Sequence, residues 1–405
     1  MFQIRGYPMT QGSVWPKGDP HNKAAEQDDC NVVRLFREAG AIIVGSTAMT
    51  EFGVTPLGRY SLHTKGPFNA YNAQHYPLGS SSGSAVAVAL GLVPVAVGAD
   101  GGGSIRIPAA GEGVFGLACT YGRIPDDSDS STLGTMQKCG PLAASARDAA
   151  LAYALMAPQV PNFYSQLYGE FPGLPHVHLK DFLSSNLQGL RLGVFWEHFN
   201  DAEPQVVESC KKALDALRAA GAEIVEITIP HLKSLQLAHA VTISVEFAAI
   251  SGHLMHNQHQ LEPSTRIQFG LGVSFSGVEV QSANIMRGWA LNHIRTIFKE
   301  QKISAIVSPT LGLMPPAMPP GAKDAGESDS ALILQTMMKY IFLANLCGFP
   351  AMSVPVGYDE VTKIPVGFHF MSDHWDEAVL LRLAHAVEVH HLKRERPKDF
   401  AKILA

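Results

Sequence analysis

The sequence predicts an α/β fold, with a single large mixed β-sheet covered by helices on both faces. Short apolar runs of strand length recur along the chain, stretches with helical spacing alternate with them, and Gly or Pro marks most of the joints. Hydrophobic residues make up 46% of the 405 positions and charged residues 17%, enough apolar material for a large buried core.

The elements follow in order. DDCNVVRLFREAGA, from Asp28, carries apolar residues at helical spacing and ends at Gly40. AIIVGST, from Ala41, reads as a buried strand. SSGSAVAVALGL, from Ser81, suits a helix packed closely inside the protein, and VPVAVGAD, from Val93, is a buried strand that leads into GGGS. ARDAALAYALMA, from Ala146, is helical. The stretch from Pro158 to Gly189, rich in Pro, Gly and aromatics, is the best candidate for a soft internal boundary. LRLGVFWE, EPQVVESCKKALDALRAAGA and EIVEITIP form a strand–helix–strand unit, parallel by the length of its crossover. Residues 231–301 are mostly helical in pattern. ISAIVSPT is a buried strand, a long helix follows over about Ser328 to Leu346, and strands AMSVPVGY and IPVGFHFMS with the helix DEAVLLRLAHAVEVHH close the chain.

Composition narrows the function. A formal net charge of −5, with Lys and Arg scattered, gives no electrostatic footprint for nucleic acid or an anionic membrane. Five cysteines lie far apart without a C-x-x-C pair, as expected of free thiols in a reducing compartment. His253, His256 and His259 form the densest histidine group, but on a helix steps of three drift by about 60° each, so they converge poorly on one ion. Met1 is followed by a mixed segment instead of an apolar signal region, and no run of eighteen apolar residues exists. The expectation is a cytoplasmic protein without a transmembrane segment, metal or organic cofactor.

The informative stretch is LGSSSGSAVAVALGLVPVAVGADGGGSIRIPAA, from Leu78 to Ala110. Two clusters of small polar residues flank one helix and one strand, so the second cluster can return to the neighbourhood of the first. Gly101, Gly102 and Gly103 allow backbone N–H groups to turn towards one point, as an oxyanion hole requires. Ser104 follows at the turn, placed to attack a carbonyl, and Ser80 is placed to pass on its proton. Other motifs fit less well. Gly79-Ser80-Ser81-Ser82-Gly83 matches a nucleophile elbow with Ser81 central, but NAQHYPL before it is a poor strand. GADGGGS lacks the G-x-G-x-x-G spacing, and no G-K-[ST] of a P-loop follows.

GSSSGSAVAVALGLVPVAVGADGGGSIRIPAAGEGVFGLACTYGR resembles the amidase signature, whose members include fatty acid amide hydrolases. GYPMTQGS, VVRLFREAGAIIVGSTAMTEFG, SAIVSPT, CGFPAMSVPVGY and IPVGFHFMS resemble further family segments in the family's order. The resemblance covers nearly the whole of residues 1–405 as one amidase-signature domain. It is weakest over about 158–301, the section that helps shape the acyl pocket in the family. It implies hydrolysis of a linear amide through a Ser–cis-Ser–Lys triad. Ser104 matches the nucleophile, and Ser80, 24 positions earlier, matches the relay serine that follows a cis peptide bond. The N–H groups from Gly101 to Ser104 match the oxyanion hole, and Asp100, Arg106 and Ser81 match structural residues beside the site. The implied partner is a small-molecule amide. The tRNA option open to some members finds no basic patch here, and the oligomeric state is left open, a homodimer included.

The chain departs from the family in small ways and in one large one. Leu78-Gly79 stands where two glycines are usual, and Ala118-Cys119 where Lys-Pro is usual. The larger departure concerns the family's base, a lysine in a Lys-Asp pair. Aligning Gly6 with the family glycine places that pair upstream of Met1, so the expectation is a chain lacking this segment, with Met1 an internal methionine. Arg5 cannot substitute, because a guanidinium keeps its proton at neutral pH. Lys17 and Lys23 are the nearest other lysines in sequence. The alternative to an amide hydrolase is a catalytically impaired amidase-like binding protein or an inactive fragment.

Overall fold

The computed structural model describes residues 2–7, 10–13, 28–58, 66–124, 134–157, 179, 181–252, 258–320 and 336–400. Its centre is an eight-stranded sheet, built from β1 (Val95–Asp100), β2 (Phe115–Ala118), β3 (Lys138–Ala143), β4 (Arg191–Val194), β5 (Glu223–Glu226), β6 (Ala305–Pro309), β7 (Ala351–Tyr358) and β8 (Pro365–Met371). The strand order is β1-β3-β2-β7-β8-β6-β4-β5. Neighbours run antiparallel from β1 through to β6, whereas β6–β4 and β4–β5 are parallel.

Eleven α-helices are found among the described residues: α1 (Asn31–Glu38), α2 (Ser82–Ala89), α3 (Arg106–Glu112), α4 (Ala146–Met156), α5 (Trp196–Phe199), α6 (Pro204–Ala219), α7 (Leu232–Ser251), α8 (Pro263–Ser274), α9 (Gly277–Glu300), α10 (Phe342–Cys347) and α11 (Glu377–His390). Side chains alternate across a strand, and the core divides accordingly. Leu117, Cys119, Phe368 and Phe370 pack with α4, α6 and α11 on one face. Ala118 packs with α2 and α3 on the other, where Ile306, Ala351 and Met371 meet α7, α9 and α10. The mixed sheet with helices on both faces is the architecture expected from the sequence.

Most elements lie where their periodicity placed them, and the β4–α6–β5 unit is the parallel crossover its length required. α7 meets the length and apolarity of a membrane-crossing helix, but half of its most apolar window is buried and it packs against α8, α9 and α10.

Two expectations differ from the fold. AIIVGST does not form a buried strand: residues 42–47 make no backbone hydrogen bond among the described residues, and Ile42 and Val44 are 88% and 72% exposed. A strand needs a ladder partner. The nearest sheet edge, β1, lies across a large cavity lined by both segments, which leaves β1 itself only partly covered. Of the long helix read over Ser328 to Leu346, the part up to residue 335 lies outside the described residues, and in the described part the α-helix α10 begins only at Phe342 and runs to Cys347.

Candidate active site

The Ala-rich pattern before Gly91 forms α2, and β1 runs back beside it, so the two serine clusters meet. Ser81 N–H donates to the Ser104 carbonyl at 3.1 Å, fixing the start of α2 against the turn after β1. The peptide bond between Gly79 and Ser80 is cis, the geometry that the resemblance implies for the relay serine. Ser80 is only 5% exposed, and its Oγ lies beside Gly53, 3.4 Å from where a Cβ on that glycine would stand. Ser104 is half-buried. Neither hydroxyl forms a hydrogen bond with a described residue, and both serines line a cavity of about 1170 Å³.

Ser81 is turned differently. Its Oγ donates to the Ala99 carbonyl at 3.4 Å, and the chain before it makes a turn with Leu78 at φ 63°. The strand that a nucleophile elbow needs is absent among the described residues, so the geometry disfavours Ser81 as the attacking group.

The glycine turn is held from below by Asp100. Its carboxylate accepts from Gly103 N–H at 2.6 Å, from Ile105 N–H at 3.1 Å, and from Arg106 Nε and Nη2 at 3.0 Å each. This corrects the expectation for the oxyanion hole at one position. Gly103 N–H is committed to Asp100, which leaves the N–H groups of Gly101, Gly102 and Ser104 without a partner among the described residues. Gly103 has φ +113°, a conformation that suits glycine alone, and at Gly102 a Cβ would lie 2.7 Å from Met338 Cε.

Asp100 and Arg106 are both fully buried, and their fork-to-fork pair carries further bonds. Arg106 Nη1 donates to the Ile341 carbonyl at 2.9 Å and to His369 Nε2 at 2.8 Å. Guanidinium nitrogens only donate, so His369 accepts through Nε2 and is neutral. Burial and the nearby Arg106 hold it well below the usual imidazole range. Asn345 Nδ2 donates to Asp100 O at 2.7 Å and Oδ1 at 2.9 Å. Burial pushes the Asp100 carboxyl up, but Arg106, Lys138 and Asn345 outweigh it and hold the group well below the carboxylate range.

Lys138, paired with Asp100 across β1 and β3, is fully buried. Its Nζ donates to the Ala344 and Phe349 carbonyls at 3.2 and 2.5 Å. Burial, with Arg106 nearby, pushes its pKa down to about 7. Lys138 is not part of the cavity wall, and among the described residues no lysine is; the titratable groups there are Tyr7 and Glu246. Lys17 and Lys23 lie outside the described residues, as do His253 and His256, while His259 is exposed. No metal-ligating cluster occurs among the described residues.

Sequence reasoning placed Asp100 and Arg106 beside the site but missed Asn345, His369, Lys138 and His239. Asn345, His369 and His239 are polar residues within apolar runs, as in IFLANLCGF or VGFHFMS, and that interruption was the available signal; Lys138, in TMQKCGP, offered none.

The chain belongs to the Amidase family, which it matches over residues 1–381. It is 35% identical to fatty acid amide hydrolases from Medicago truncatula, over 94% of this chain and 62% of that one, and from Arabidopsis thaliana, over 98% and 65%. It thus spans under two thirds of the length of these relatives. Among solved structures it resembles 6-aminohexanoate cyclic dimer hydrolase, with TM-score 0.82 and 24% identity over 98% of this chain and 84% of that one. A bacterial aryl acylamidase of the amidase signature family gives 0.77 and 22% over 95% and 79%.

Proposed function

We propose that this protein hydrolyses the amide bond of a small molecule with an apolar acyl group, through Ser104 as nucleophile and Ser80 as proton relay. The reading is carried by one observation. Two serines without hydrogen-bond partners among the described residues open into one cavity, beside the unpartnered N–H groups of Gly101 and Gly102. Ser104 Oγ attacks the carbonyl carbon while Ser80 takes its proton and later returns one to the leaving amine. The N–H groups of Gly101, Gly102 and Ser104 stabilise the oxyanion. Water then cleaves the acyl-enzyme, regenerating Ser104 and releasing the acid. Ser80 passes its own proton on to a base, and no lysine among the described residues lines the cavity wall to serve as that base.

An apolar acyl group fits the wall contributed by Val32, Val33, Phe36, Ile43, Phe247 and Ile250. The plant relatives, named for fatty acid amides, support the same substrate class. The test is labelling with a fluorophosphonate, followed by hydrolysis of a fatty acyl anilide. Both signals are expected to vanish in Ser104→Ala. Undiminished labelling of that variant would remove Ser104 as the nucleophile.

A further inference from the structure

The glycine loop has a second support that approaches from α7. His239 is 1% exposed and does not line the cavity, whereas Gly101 and Gly102 do. Its Nε2 lies 3.4 Å from the Gly101 carbonyl oxygen. The ring also lies flush against the next residue, since a Cβ on Gly102 would stand 3.1 Å from His239 Cε1 and 3.3 Å from Nε2. Phe342 packs edge-on against the same ring at 6.1 Å between centroids, so the imidazole has a fixed seat.

Burial pushes the His239 pKa down to about 4, which leaves a neutral ring with a single N–H. A carbonyl only accepts, so the bond requires that this hydrogen sit on Nε2. Across a trans peptide, the C=O of one residue and the N–H of the next point in opposite directions. With the Gly101 carbonyl drawn towards α7 and away from the cavity, the Gly102 N–H is turned into it.

We propose that His239 is the positioning residue of the glycine loop. Its Nε2–H holds the Gly101 carbonyl and so aims the Gly102 N–H at the oxygen of an acyl group under attack. This rests on the reading of Ser104 as nucleophile. The bond acts on the peptide plane and leaves the substrate untouched, so it bears on the tetrahedral state more than on substrate binding.

The test compares the 405-residue protein with His239→Gln, which keeps an N–H donor, and His239→Leu, which fills the space without one. In His239→Leu, kcat for a fatty acyl anilide is expected to fall about tenfold to a hundredfold with KM unchanged, short of the full loss of an oxyanion donor. Affinity for a trifluoromethyl ketone, which forms a tetrahedral adduct, should fall in parallel, and His239→Gln should recover most of both. Equal losses in the two variants, or a loss confined to KM, would overturn the proposal. A second measurement needs neither folding of a variant nor turnover: the ring ¹⁵N shifts of His239 in the unsubstituted protein. They are expected to show hydrogen on Nε2, and hydrogen on Nδ1 would also overturn it. Hydrolysis that persists in Ser104→Ala would instead remove the nucleophile reading, and the proposal with it.

Discussion

Asp100 Oδ1 accepts the Gly103 N–H at 2.6 Å, while the same carboxylate grips the Arg106 side chain. One buried anion therefore shapes the glycine turn and neutralises a buried cation. Replacing it with Asn leaves Arg106 charged and uncompensated, a change that costs about 3–5 kcal/mol. Asp100→Asn should unfold at a markedly lower urea concentration and lose fluorophosphonate labelling. The pair also predicts acid sensitivity. The Asp100 pKa is depressed, so its stabilising contribution is complete above the unfolded carboxylate value and is lost as pH falls through the folded one. Below about pH 4, stability should drop more steeply in the unsubstituted protein than in Asp100→Asn/Arg106→Gln.

Lys138 gives a slope of the same sign in a higher pH window. Its pKa is pushed from 10.5 down to about 7, so between these values the unfolded chain holds one more proton than the folded one. Stability attributable to this residue therefore rises with pH across that window and is flat beyond it. The difference in Tm between the unsubstituted protein and Lys138→Met should shift in favour of the former from pH 7 to pH 10. A difference independent of pH would show that Lys138 keeps an ordinary pKa.

The relay role of Ser80 predicts a graded loss. Ser80→Ala should label about two to four orders of magnitude more slowly, the usual range for loss of general acid–base assistance. No lysine lines the described cavity wall, so a small neutral amine should accelerate labelling of the unsubstituted protein in proportion to its concentration. Absence of any amine effect, together with loss of labelling in Lys17→Met or Lys23→Met, would assign the base to one of those residues.

Gly103 offers a steric test. Alanine there must adopt φ +113° with its Cβ 1.8 Å from Ile341 Cδ1. Gly103→Ala should lower Tm and abolish labelling. Adding Ile341→Ala relieves the clash without changing the backbone demand, so it should restore stability only in part.

Reading the sequence succeeded where a local rule decides the outcome. Helix α2 and strand β1 were legible from an Ala-rich stretch and an apolar run joined at Gly91, and their adjacency brought Ser80 and Ser104 together. Asp100 and Arg106 were placed beside the site by their match to residues that flank the nucleophile in the amidase signature, without their pairing being legible. The Gly103 hydrogen bond was not legible, because which of four successive N–H groups meets a carboxylate depends on the turn's dihedrals. Lys138, Asn345 and His369 converge on that pair from three distant segments, and no spacing rule connects them. AIIVGST failed for a related reason: its apolar character satisfies the rule for a strand, but pairing depends on a neighbour that its own residues do not specify.

That segment also bears on how the protein behaves in concentrated solution. Ile42 and Val44 are β-branched, uncharged and exposed, and among the described residues β1 is an edge strand lining the same opening. Free strand edges and short apolar β-formers are templates for pairing between molecules. The opening proposed to take an acyl group is thus also a place where two copies can seed an aggregate, and a ligand that fills it should act as a solubiliser as well as an inhibitor.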